Sequence, residues 1–418
     1  KNIFNTASLK LASNIIMLGV LLLTVRFLGD EGRGEIAIFN ANLALTIILN
    51  GFIGSSVIVY LTPQTNFYKL LIPSYIWAAI FSFISPFLIK SLFVFLADYY
   101  GHGIETLNLQ YTSYYYLLVL CTFMGSLFEC NYMVLLGKQH VKSATFLNFS
   151  RNVVLAISLC FLFFYSGIDG DVYGFFISLT FAYFIGLLIS FMFIFRLEDS
   201  LLDLKGFWST LKQLVQLGFI DQFSNVLQFL NKRLPMYSLF MIFGKGDTGV
   251  LSVAITLTEA WLFLPQSLAT VQYSKISNTD NQKYNERITE KMFRFSIVLL
   301  SFCVLGLLVF PNQLYVLVFK EGFEELKTVI AFLSIGVITF GSGSIFNHYF
   351  SGIGKFEQNV YSNLIGLSIT IFAGCFYLIP TYGIWGAAIT PTLSYLAILL
   401  FLMISFNIKS KTSLKAFI

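Results

Sequence analysis

Runs of about twenty mostly apolar residues are long enough to cross a bilayer. The chain holds twelve such runs: 7–28, 36–61, 71–96, 108–136, 143–166, 172–195, 215–243, 249–273, 292–318, 327–352, 359–380 and 383–406. They are too long and too evenly apolar for strands or for the surface helices of a soluble domain. The pattern predicts an all-α integral membrane protein with twelve transmembrane helices. The connections are short. The longest, 196–214 and 274–291, are polar and rich in charge, and neither can hold a soluble domain.

The seventh run departs from the rest. Between Phe219 and Gly249 it carries Asp221, Asn225, Gln228, Asn231, Lys232 and Arg233. A cation at the bilayer centre costs about 2.5–3.5 kcal/mol on insertion scales, so two in succession need something to solvate them. Asp221, Asn225, Gln228 and Lys232 recur at i, i+4, i+7 and i+11 and line one helical face. Arg233 lies about 100° round, on the shoulder of that stripe. Pro235 removes a backbone donor and frees the carbonyl of Asn231 one turn back. This reads as a kinked helix with a wet, cationic face. Asp221 is eleven residues from Lys232, about 16 Å along the axis, too far to neutralise it.

Composition narrows the class further. The 418 residues are 57% hydrophobic and 11% charged, with mean hydropathy +0.78, a balance outside the soluble globular range. Five cysteines, all in apolar runs, and three scattered histidines give neither a disulfide framework nor metal-ligand spacing. The first run is a full span rather than a short cleavable leader. No nucleophile elbow or Walker loop occurs, so neither an enzyme nor a bound cofactor is expected, and transport would be ion-coupled or substrate-driven. The loops on one side hold Lys69, Lys138, Lys142, Arg196, Lys205, Lys212, Lys275, Lys283, Arg287, Lys291 and Lys355, and the other side holds few cations. That side should be cytoplasmic, with both termini inside.

The chain also repeats itself. Phe27-Leu28-Gly29 with Gly34 matches Ile242-Phe243-Gly244 with Gly249 at an offset of 215 (29 to 244). Gly137-Lys138 matches Gly354-Lys355 at 217 (137 to 354). Tyr173-Gly174, Ile177, Thr180 and Tyr183 match Trp385-Gly386, Ile389, Thr392 and Tyr395 at 212 (173 to 385). Six spans per unit return the chain to its starting side. The units therefore share one topology, related by an axis along the membrane normal. The expected lobes are 1–200 and 201–418, pseudo-symmetric, with the boundary in the 196–214 connection.

Other spans carry polar positions. Lys10 and Asn14 lie in the first, and Asn42, Thr46 and Asn50 form a stripe in the second. Glu129 is in the fourth, Arg151 and Asn152 in the fifth, Ser252, Thr256 and Glu259 along one face of the eighth, and Asn347 and His348 in the tenth. Lys10, Arg26 and Lys90 sit near span ends, where long side chains snorkel. The Asn and Thr stripes serve either ligand binding or hydrogen bonds between helices. Glu129, Glu259 and Asp221 are either partners of buried cations or ion carriers. His348 reads as a packing histidine. Lys232, Arg233 and Arg151, with Asn225, Gln228 and Asn42, make up the candidate cavity lining, Arg151 coming from the other lobe.

Twelve spans in two six-helix units, Phe27-Leu28-Gly29 and Ile242-Phe243-Gly244 each with a following Gly at the first and seventh helix exits, and Gly-Lys after the fourth and tenth together resemble one family. It is the polysaccharide flippases of the multidrug/oligosaccharidyl-lipid/polysaccharide (MOP) superfamily, nearest the Wzx-type O-antigen flippases. The resemblance implies a MATE-like, V-shaped, alternating-access transporter. Its implied substrate is an oligosaccharide on undecaprenyl pyrophosphate, turned from the cytoplasmic to the periplasmic leaflet. Membrane lipids, a polysaccharide polymerase and a chain-length regulator are the implied partners, and nothing points to nucleic acid. A cationic central cavity is also implied, which Lys232, Arg233 and Arg151 match. Arg can hold phosphate oxygens bidentately. Three alternatives fit less well. A multidrug antiporter of the same superfamily would want an acidic cavity. A membrane polymerase or glycosyltransferase would want a large outer loop, and a lipid-II-type flippase fourteen spans.

Overall fold

The computed structural model describes residues 2–51, 56–62, 67–100, 104–165, 171–197, 206–277, 281–355 and 357–410. The expected boundary in 196–214 lies in part outside them. In chain order the helices are α1 (Asn2–Asn50), α2 (Ser56–Leu61), α3 (Phe67–Tyr100), α4 (Ile104–Gly137), α5 (Val141–Tyr165), α6 (Val172–Leu197) and α7 (Phe207–Phe243). After them come α8 (Lys245–Glu259), one 3-10 turn (Ala260–Leu262), α9 (Phe263–Ser277), α10 (Gln282–Val309) and α11 (Asn312–Phe319). The last are α12 (Leu326–Gly352), α13 (Glu357–Ile369), a π segment (Thr370–Leu378) and α14 (Ile379–Ser410). No strand occurs among the described residues.

Nine stretches of the described residues are long and apolar enough to cross a membrane. Two of them are helix pairs joined end to end. Ser8–Asn50 breaks at Gly29 (φ 70°, ψ −166°), and Glu357–Lys409 breaks at Gly383 (φ 56°, ψ −130°). Counting each pair as two, and adding α7, which its polar stripe keeps out of the nine, gives the twelve expected spans.

The chain forms two compact units, Lys1–Val226 and Leu227–Ile418, which divide part-way along α7. In the first unit α4 packs on α3 and α6, and α5 packs on α1 and α6. Its core is built from Leu127, Phe128, Leu135 and Leu147 on one side and Ile36, Phe39, Leu118 and Phe176 on the other. In the second unit α12 is the hub, packed against α8, α9, α10 and α14. Phe293, Phe346, Tyr349, Phe350, Leu402 and Phe406 fill that core. Close approach needs a missing side chain at Gly336, where a Cβ would sit 2.6 Å from Thr392 Oγ1.

Apolar packing alone does not order helices in a membrane, because lipid tails are as apolar as leucine. Polar side chains fix the register instead. Asn50 Nδ2 donates to Ser82 Oγ (3.0 Å) and Ser126 Oγ (2.8 Å), and its Oδ1 accepts from Ser85 (3.1 Å). Thr46 pairs with Thr122 at 2.9 Å. Asn131 accepts from Tyr75 and donates to Ser190. The second-span stripe therefore ties α1 to α3 and α4 at Thr46 and Asn50.

The repeat is visible in backbone geometry. Gly244, preceding α8, has φ 90° and ψ −159°, close to Gly29 at its offset of 215. That region of conformational space is costly for a residue with a Cβ, and Lys320 (φ 72°, ψ −175°) is a non-glycine residue that occupies it here. The turn after α4 is closed by Lys138 N–H to Val134 O, Gln139 N–H to Leu136 O and His140 N–H to Leu135 O. The turn after α12 uses Ile353 to Tyr349, Gly354 to Ser351 and Lys355 to Phe350, each bond displaced by 215. The structural partner of Gly354 (φ 74°) is thus Gln139 (φ 62°), and the 217 pairing of Gly137 with Gly354 is two residues out of register. Both positions are left-handed; one repeat meets the demand with glycine and the other with glutamine.

Candidate functional site

In the second unit the charged residues of α7 meet a carboxylate and two rings. Pro235 lies inside α7 without ending it, and Lys232 and Arg233 sit on the turn before it. Glu259 is the last residue of α8, where the helix tightens into the 3-10 turn. Arg233 Nη2 donates to Glu259 Oε2 at 3.2 Å, and the two side chains keep 28% and 26% of their surface open. Lys232 points its Nζ at the Phe340 ring of α12, 4.2 Å from the centroid. It is also within electrostatic reach of Glu259 and Arg233. Phe340 packs on Tyr395 of α14, with centroids 4.7 Å apart. Tyr395 feels both Glu259 and Arg233, and Tyr237, one turn along α7, feels Arg233. Two cations therefore face one carboxylate among the described residues.

The first unit has a smaller cluster with a balanced count. Arg151 of α5 donates from Nη1 to Tyr183 Oη (3.3 Å) and from Nη2 to Asn152 Oδ1 (3.2 Å). Its guanidinium lies 4.9 Å from the Tyr183 ring centroid and 5.5 Å from that of Phe128. Glu129 is within electrostatic reach of Arg151. Asn152 also donates to Ser13, tying α5 to α1.

Each cluster rests on a Phe–Tyr pair. Phe128 meets Tyr183 in one unit and Phe340 meets Tyr395 in the other; the tyrosines match at 212 (183 to 395), but α4 and α12 match at 215, where Phe340 falls on Gly125 (125 to 340). Each Phe–Tyr pair is in ring contact and each carries a cation within cation–π range. The charges themselves come from non-equivalent places: α4 and α5 in the first unit, α7 and α8 in the second. Tyr183 and Tyr395 were already matched by the repeat; the phenylalanines stand at non-equivalent positions of α4 and α12, so no offset in the sequence pairs them.

The remaining sequence candidates fall in several settings. Asn225 is half-buried and donates to Gln222 at 3.3 Å, and Gln228 is half-buried. Asn42 is buried at 3% exposure. The side chain of Asp221 lies outside the described residues. Lys10 and Arg26 are exposed, and Lys90 stacks over Tyr115 at 5.4 Å. His348 Nδ1 lies 2.8 Å from Ser344 O of its own helix. Among the described residues no group of His, Cys, Asp and Glu could hold a metal ion.

No family model matches the chain. A capsular polysaccharide biosynthesis protein of Staphylococcus aureus, CapF, is 32% identical over 177 residues, which are 41% of this chain and 44% of that protein. The chain thus spans less than half of this curated relative. Solved structures match over nearly all of the chain. An inward-facing multidrug resistance MATE family transporter of the MOP superfamily has a TM-score of 0.76 at 14% identity, covering 98% of this chain and 96% of its own. The lipid II flippase MurJ in an inward closed conformation has a TM-score of 0.65 at 17% identity, covering 99% and 88%. The fold is that of the MOP superfamily transporters. A third member, from Pyrococcus furiosus, matches at 0.61 and 15% identity over 99% of this chain and 94% of its own. It is described as having a binding pocket of reversed polarity that suggests a different function.

Proposed function

We propose that the chain is a lipid-linked oligosaccharide flippase. It turns undecaprenyl-pyrophosphate-linked repeat units of a surface polysaccharide from the cytoplasmic to the periplasmic leaflet by alternating access. Both termini lie in the cytoplasm in this reading. The observation that carries it is the charge count around Glu259: Lys232 and Arg233 against one carboxylate, on spanning helices. Arg233 is engaged by Glu259, so the surplus positive charge belongs to Lys232, whose ammonium rests on a ring rather than an anion. A pyrophosphate supplies the missing negative charge. The Asn225 and Gln228 amides suit sugar hydroxyls, and Asn42 is assigned to helix packing with Thr46 and Asn50. Arg151, matched by Glu129, is assigned to holding its unit together. Of the three candidate carboxylates for ion coupling, Glu259 is the one a phosphate would compete with for Arg233. Binding and protonation are therefore linked there.

The capsular biosynthesis relative and the lipid II flippase neighbour support a lipid-linked glycan over a drug. O-antigen and capsular repeat units share the lipid pyrophosphate, and that shared group is what the cations would read. A multidrug antiporter taking cationic compounds would place its substrate against surplus positive charge. The test is complementation of a deletion in the native host by Lys232→Ala at matched membrane levels. Surface polysaccharide should fall while lipid-linked repeat units accumulate in the cytoplasmic leaflet. Normal export by Lys232→Ala would remove the basis of the proposal.

A further inference from the structure

Helix α10 has three separate faces. At about 100° per residue, its buried side chains (Asn285, Glu286, Thr289, Phe293, Ser296, Leu300, Val304) fall in one arc of about 100°. Lys283, Arg287, Lys291 and Arg294 recur at i, i+4, i+8 and i+11, are all exposed, and fall in an arc of about 80° on the far side. Below them Val298, Phe302, Leu305 and Val309 continue along that same arc, displaced by only about 20–40°. Phe302 and Val309 keep 77% and 79% of their surface open. Of the nine apolar stretches this one is the least covered by the rest of the protein. One face thus carries about three turns of cations and then about three turns of bare hydrocarbon.

We propose that this face is a binding lane for an anionic phospholipid. Its phosphate would be held by Lys283, Arg287 and Lys291, and its acyl chains would lie on Val298, Phe302, Leu305 and Val309. Arg294, which has a further interaction within the protein, closes the row at the depth where the chains begin. Charge complementarity selects the occupant. Glu290, half-buried, is the acid at the edge of the cationic arc, so the row keeps a net charge of about three positive units. Each basic side chain near an anionic leaflet strengthens attraction roughly fivefold. A purely topological role for these cations needs them on the cytoplasmic side but does not need them above the lipid-facing arc. The inference stands apart from the flippase reading, since it concerns a lipid that stays in its leaflet.

The test uses the full chain with Phe302→Trp, reconstituted in phosphatidylcholine bilayers. Phosphatidylglycerol or phosphatidylcholine with brominated chains is added, and quenching is read as the excess over the four native tryptophans. Brominated phosphatidylglycerol should quench at several-fold lower mole fraction than brominated phosphatidylcholine. Lys283→Gln/Arg287→Gln/Lys291→Gln, at exposed positions and with unchanged melting temperature, should bring the two together, as should high salt. Equal quenching by both lipids in the parent would overturn the lane. So would displacement of phosphatidylglycerol by a small fraction of undecaprenyl phosphate, which would make the face a polyprenyl-carrier site instead.

Discussion

The charge arrangement around Glu259 makes a prediction that separates folding from transport. At 3.2 Å and an effective dielectric of about 20, the Arg233–Glu259 attraction is about 5 kcal/mol before the cost of dehydrating both groups. Both remain about a quarter open, so the net coupling should be on the order of 1–3 kcal/mol, below that of a fully buried pair. Glu259→Gln leaves Lys232 and Arg233 facing each other with no carboxylate between them. It should lower membrane abundance and the melting temperature of the purified protein by a few degrees. Arg233→Gln should cost less, because Lys232 is already within reach of Glu259 and can take its place. The double variant Arg233→Gln/Glu259→Gln should recover much of the loss of Glu259→Gln, since it removes the unpaired second cation. Lys232→Gln leaves the ion pair whole and should fold normally while losing export. The assay is a double-mutant cycle on melting temperature, with surface polysaccharide measured in parallel at matched expression. If the double variant is no more stable than Glu259→Gln, the pair is not what holds these charges in the membrane. If Lys232→Gln exports normally, the surplus charge is not the ligand site.

Gly29→Ala and Gly244→Ala should each cost about 1–3 kcal/mol, from backbone strain at positive φ rather than collision, because a Cβ at either meets nothing within 4 Å; thermal melts against Gly306→Ala, an open helical glycine, would show it. Asn50→Ala removes three side-chain bonds between α1, α3 and α4 and should cost about 2 kcal/mol at roughly 0.6 per contact, read as a lower melting temperature with transport per molecule unchanged. Arg151→Gln/Glu129→Gln should be better tolerated than either single change, because the count in that cluster is one to one; membrane levels of the three variants decide it.

Much of this architecture is legible in the chain. Twenty-residue apolar runs have one stable solution in lipid, because each backbone polar group must be satisfied within its own segment. That is why the span count, the Gly29 and Gly244 breaks and the 212-residue match at Tyr183 and Tyr395 could all be read directly. The site was legible only in kind. Lys232 and Arg233 announce themselves by their cost in hydrocarbon. Their different surroundings, a ring for one and a carboxylate for the other, depend on where α8 and α12 pass, and no helical period carries that information. Glu259 itself was visible, but whether it served as partner or as ion carrier was a question of distance. The two-residue slip at Gly354 has a similar origin. Glycine marks a left-handed turn, but glutamine at position 139 fills the equivalent position without the signal.

The Phe–Tyr pairs differ between the two units, because Phe128 and Phe340 stand three residues out of register in α4 and α12. The position equivalent to Arg151 is Gly366 (151 to 366 at 215), which has no side chain. The cation against Phe340 comes from α7. In the first unit the guanidinium gives two of its five N–H donors to a tyrosine hydroxyl and an asparagine oxygen, and the charge of Glu129 is within reach. In the second, Arg233 is the cation hydrogen-bonded to the carboxylate, and Lys232 rests on a ring within electrostatic reach of Glu259. A cation–π contact contributes about 0.5–2 kcal/mol, less than a charge-assisted bond to phosphate, so an arriving anion can draw the ammonium away without unfolding the site. The flexible four-carbon stem of lysine allows that movement, where a guanidinium locked to a carboxylate would not.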